Sequence, residues 1–132
     1  MSWKEKTVNT YLVAESEELA YDEANVIASA PVQSDLGGKQ ILAAIDITTA
    51  GANQTTPLRI DYSFDGQNWT SGANSKEVAA NIGSNATGFK LYQVDLTDIR
   101  APYYRFSIVP GGNVGTNGRF VFHYAIPAKD VV

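Results

Sequence analysis

The chain has 132 residues, 44% of them hydrophobic and 18% charged, with a formal net charge of −4, no cysteine and a single histidine. That length suits one domain, and the apolar fraction is high enough to build a core rather than a disordered chain. Without cysteine there is no disulfide, thiolate zinc site or thiol nucleophile, and the lone His123 excludes a multi-histidine metal site within the chain.

In chain order, the pattern predicts short strands between turns. Thr7 to Ala14 is rich in β-branched and aromatic residues and reads as a first strand. Residues 15–24 are the only helix candidate. Within them Glu15, Glu17, Glu18, Asp22 and Glu23 place five of the 14 acidic residues in a nine-residue run, and no Lys or Arg occurs between Lys6 and Lys39. Such a run is either a solvated face or an acidic contact for a basic partner. The rest of the chain is close to neutral and has no clustered Lys and Arg, which excludes a nucleic-acid binder. Asn25 to Ala30 is a second strand candidate, stopped by Pro31 and the turn signal Asp35-Leu36-Gly37-Gly38.

Alternation then becomes regular. Ile41, Ala43, Ile45 and Ile47 share one face of a strand over Gln40 to Thr49, with Asp46 and Thr48 on the other. Leu58, Ile60, Tyr62 and Phe64 oppose Arg59, Asp61 and Ser63 in the same way, and Asp65-Gly66 begins a tight turn returning through Gln67, Asn68 and Trp69. Lys76 to Ile82 and the weakly alternating Phe89 to Leu96 follow. Tyr104, Phe106 and Ile108 oppose Tyr103, Arg105 and Ser107; in the last strand Phe120, Phe122, Tyr124 and Ile126 oppose Arg119, Val121, His123 and Ala125. About eight strands with amphipathic faces predict an all-β fold, an antiparallel β-sandwich or jelly roll over residues 36–132, because two such sheets must bury their apolar faces together. Residues 1–35 fit that scheme less well and are expected to form an N-terminal arm, edge segment or short helix.

Sites for chemistry are few. The glycine-rich stretch from Pro110 to Gly118 lacks the Gly-Lys-Ser/Thr ending and following helix of a phosphate loop and reads as a hairpin connection. Asp61 and Asp65, if both on one strand, would stand about 13 Å apart, beyond either spacing used in glycoside hydrolysis. A calcium site using Asp65 with loop carbonyls stays open at this point. His123 points away from the face of Phe122 and Tyr124. We expect no enzyme, cofactor or metal. No apolar run has the length of a secretory signal or a membrane span, so no membrane partner is expected.

Two stretches together carry a resemblance. Tyr62-Ser63-Phe64-Asp65-Gly66-Gln67-Asn68-Trp69 is a strand entering an aspartate–glycine turn that ends in tryptophan, and Val94-Asp95-Leu96 is followed by Ala101-Pro102-Tyr103-Tyr104-Arg105-Phe106-Ser107-Ile108. The pair resembles small β-sandwich virion proteins of tailed phages, of the capsid decoration or cement type. More loosely it is similar to discoidin-like carbohydrate-binding sandwiches. The first stretch also resembles the aspartate box of sialidase-type propellers, with two departures: Gly66 directly follows Asp65, and Asn68 stands where that box has threonine. A single copy cannot build a propeller.

The resemblance implies a structural protein on the capsid surface of a bacteriophage virion, made in the host cytoplasm. Its partner would be the major capsid protein, and by analogy it would form a homotrimer. For that role Trp3, Tyr11 and Leu12 are expected as apolar anchors, and Glu15, Glu17, Glu18, Asp22 and Glu23 as an electrostatic contact. The alternative is a carbohydrate-binding module, a phage receptor-binding or tail component, using Gln67, Asn68, Trp69, Tyr92 and Tyr103.

Overall fold

Alternating burial along the longer strands sets the architecture. The computed structural model describes residues 3–21, 25–51, 56–109 and 117–128. Within them lie ten strands: β1 (Lys4–Val8), β2 (Tyr11–Glu15), β3 (Leu19–Ala20), β4 (Ile27–Ala28), β5 (Gln40–Thr49), β6 (Leu58–Ser63), β7 (Lys76–Ala79), β8 (Gly88–Asp95), β9 (Tyr103–Ile108) and β10 (Arg119–Pro127). One larger sheet runs β1-β2-β10-β5-β8, with β3 also pairing β10, and a smaller one runs β4-β9-β6-β7. Every strand pairing is antiparallel. The chain is an antiparallel β-sandwich.

Its core is the meeting of the two inner faces. Ile41, Ala43, Ile45 and Ile47 of β5 and Phe120, Phe122, Tyr124 and Ile126 of β10 face Leu58 and Ile60 of β6 and Tyr104, Phe106 and Ile108 of β9. Phe106 anchors the centre, with ring centroids 5.8 Å from Phe122 and 6.1 Å from Tyr124. These strands follow the predicted period of two because one face of each is dry.

The N-terminal third departs from expectation. The predicted strand from Thr7 to Ala14 is broken by a two-residue hairpin turn at Asn9 and Thr10. Asn9 has φ 55°, a left-handed conformation that asparagine tolerates better than most residues. No helix forms over the described part of 15–24. Instead Ser16 bonds along β10, its N–H donating to the Phe122 carbonyl and its hydroxyl accepting the Phe122 N–H, both at 2.9 Å, before β3 pairs Phe120. Ser29 repeats the arrangement on Phe106 in the other sheet, at 2.8 and 3.0 Å. The backbone groups of β9 and β10 must be satisfied, and that demand overrides the local helix preference of an acidic segment.

The described residues of the N-terminal segment are part of the sandwich. Trp3, Ala14, Tyr21 and Val32 belong to the core cluster, and β1 and β4 form sheet edges. Trp3 is only 4% exposed; it packs between the sheets against Phe106 (5.6 Å) and Tyr124 (5.1 Å) and donates its indole N–H to the Ala30 carbonyl at 2.9 Å. Phe64 is the opposite case. Expected on the buried face of β6, it lies past the strand end and is 88% exposed.

Candidate contact surfaces

The outer face of the larger sheet is unusually apolar. Register places the rows Val8–Tyr11–Pro127, Lys6–Val13–Ala125–Leu42–Gln93, Lys4–Glu15–His123–Ala44–Leu91 and Val121–Asp46–Phe89 across it. Four of the exposed large hydrophobic residues lie here: Val8, Tyr11, Phe89 at 53% and Leu91 at 59%. Ala44 is small enough for Phe89 to reach across β5 and bring its ring 4.8 Å from that of His123.

A groove of about 380 Å³ runs beside this ring pair, lined by Lys4, Glu5, Lys6, Val13, Ala14, Glu15, Phe89 and His123. The His123 Nε2 atom is buried with no hydrogen-bond partner among the described residues. Burial lowers the imidazole pKa, while the Glu15 and Asp46 carboxylates pull the other way.

A second surface forms where β6 ends and β9 begins. The Asp65 carboxylate caps the turn, accepting the N–H groups of Gln67 (2.9 Å) and Asn68 (2.8 Å) and the Asn68 side-chain amide. Those donors hold its pKa far below the usual carboxylate range. With N–H donors on both oxygens, the Asp65 carboxylate builds the turn. Asp61 is 3% exposed and takes the Arg105 Nε at 2.9 Å and the Ser75 hydroxyl at 2.6 Å. Arg105 in turn lies 4.6 Å from the Trp69 ring centroid. The two aspartates thus serve separate structural networks instead of forming an acid–base pair.

Beside this network is an open groove of about 400 Å³, lined by Tyr62, Ser63, Phe64, Asn68, Trp69, Thr70, Arg100, Ala101 and Pro102.

The predicted site residues divide between these places. Of the proposed shell anchors, Tyr11 and Glu15 stand exposed on the outer face of the larger sheet. Trp3 is unavailable because it fills the protein's own core, and Leu12 packs against that core from the inner face. Glu17 is half-buried, and Glu18 accepts the Thr48 hydroxyl at 2.8 Å. Asp22 and Glu23 lie outside the described residues. Of the sugar-binding set, Asn68 and Trp69 line the second groove, Gln67 stands exposed in its turn, and Tyr103 lies beneath Gly66 at one side. Tyr92 is separate, half-buried on the inner side of β8.

Phe89, Leu91, Phe64 and Arg100 were missed. Phe89 and Leu91 left a trace in the weak alternation of their strand, which is apolar on both faces. Among the described residues no helix is long and apolar enough to cross a membrane. No protein-family model matches the chain, and no curated protein matches it.

Proposed function

We propose that the chain is a structural virion protein, a decoration or cement subunit that binds the assembled head of a tailed phage by burying surface. The observation that carries this reading is the unpartnered apolar face around Phe89 and Leu91. A face of this kind marks a contact surface, since burying apolar area is worth about 25 cal/mol per Å². Lys4, Lys6, Glu15 and Asp46 surround it with charges of both signs, which orient a partner more than they hold it.

A subunit that binds the assembled shell but not its free components stabilises the shell by mass action, and repetition over a symmetric surface multiplies modest contacts. The major capsid protein is the partner this reading requires, and the trimer follows from the family resemblance.

The test is co-sedimentation of the purified protein with empty heads assembled from the major capsid protein. Leu91→Glu and Phe89→Glu should abolish co-sedimentation without unfolding the protein, since both side chains are exposed. Undiminished binding by both variants would overturn the assignment of this face.

A further inference from the structure

We infer that the groove at the junction of β6 and β9 binds a carboxylated glycan, a chain of uronic-acid type. This is a second site, on the sheet that the apolar contact face does not use, so covering that face leaves it open. Phe64 starts the argument. It breaks the burial pattern of its own strand and stands 88% exposed beside the groove. An aromatic ring held in water offers a flat face to the C–H groups of a sugar ring. Trp69 and Pro102 extend the apolar lining, and Asn68 and Thr70 add polar groups.

The second element is charge. Arg100 lines the groove, is exposed, and has no carboxylate within ion-pair distance among the described residues. A guanidinium without an acidic partner favours a carboxylate ligand over an uncharged one. The Arg100 guanidinium lies over Gly38, where a built Cβ would fall 2.7 Å from it. Gly38 also has φ +71°, and its N–H donates to the Leu96 and Ile99 carbonyls.

The third element is rigidity. Trp69 is held by Arg105, and Arg105 by Asp61. Thr70 exchanges backbone and side-chain bonds with Tyr62 at 3.1 Å, and its hydroxyl meets that of Ser75 at 2.9 Å. A site already ordered loses little entropy on binding. Its volume falls within the range of small-ligand sites, about 300–1,000 Å³.

Calorimetric titration with hexamers of β-1,4-mannuronate and α-1,4-galacturonate, beside uncharged β-1,4-mannohexaose, tests the inference. At least one uronate should bind about ten-fold or more tightly than the neutral hexamer. Phe64→Ala and Arg100→Gln should each weaken that binding by a similar factor while leaving the melting temperature unchanged. No binding of either uronate at millimolar concentration, equal binding of charged and neutral hexamers, or full binding by both variants would overturn it. The same two variants should co-sediment with heads as the parent does, and Leu91→Glu should keep its uronate affinity, so failure at one surface is distinguishable from failure at the other.

Discussion

Replacing Trp3 with alanine should unfold the protein at a much lower temperature, although the residue lies at the chain's N-terminal end. The indole fills the space between Phe106 of the smaller sheet and Tyr124 of the larger one. Truncating a buried tryptophan costs about 3–5 kcal/mol, the sum of lost transfer energy and the cavity left behind. Here the Ala30 carbonyl also loses its donor. With about 2.1 cal/mol/K per residue of unfolding entropy, a loss of about 4 kcal/mol lowers the melting temperature by about 14 °C. Trp3→Phe keeps most of the ring packing and removes the hydrogen bond, so its loss should be smaller, about 1–2 kcal/mol. Urea denaturation followed by circular dichroism, with thermal melts beside it, reads both. A loss below about 1 kcal/mol for Trp3→Ala would refute the packing argument and return this residue to the role of an exposed anchor.

Asp61→Asn preserves shape but leaves the partly buried Arg105 without its carboxylate; urea melts should show a loss of about 2–4 kcal/mol, and one below about 1 kcal/mol would mean that solvent screens the pair. The Asp65 carboxyl, held down by its N–H donors, should remain ionised through the usual aspartate value of 3.8. A carbon-detected NMR titration checks this, and any stability it contributes is complete well above the usual aspartate value and is lost progressively from there as pH falls through the depressed folded pKa. For His123 burial holds the folded imidazole below its usual 6.5, so the unfolded chain takes up the proton first as pH falls. Its contribution is complete above about pH 6.5 and lost from there down through the folded pKa. His123→Leu should therefore lose less urea resistance between about pH 7.5 and about pH 5 than the parent does, and an equal loss in both would refute the assignment.

The strands legible in the sequence are those with one dry face. In β5, β9 and β10 every second residue is buried, and a slip of one position would expose the whole set, so pattern and structure agree. Phe64 continues the same pattern but not the strand. The Ser63 hydroxyl accepts the N–H groups of Asp65 and Gly66, turning the chain before Phe64 can enter the core. The acidic segment at 15–24 has helical composition, yet the unfilled backbone groups of β10 draw its described residues, 15–21, into extended pairing. Trp3 could be seen as apolar but not as buried, because what buries it comes from β9, β10 and the Ala30 carbonyl. The sequence also hides the apolar outer face, which exists only once β8 is laid against β5 and the hairpin of β1 and β2 against β10.

Under the proposed function, that assembly favours association through the face over association through the β1 edge. β1 is one edge of the larger sheet and β8 the other. If a second copy of β1 pairs with the first antiparallel to extend the sheet, opposed residues come from the same face. The register using the full strand sets Lys6 on Lys6, and a shift of two residues sets Glu5 on Glu5 and Lys4 on Lys6. Like charges directly opposite oppose such pairing, as do lysines on edge strands generally. On the outer face Lys4 stands across the hairpin from Glu15, in the row beside His123. One short strand therefore discourages open-ended growth of the sheet while bordering the surface through which we propose the protein works.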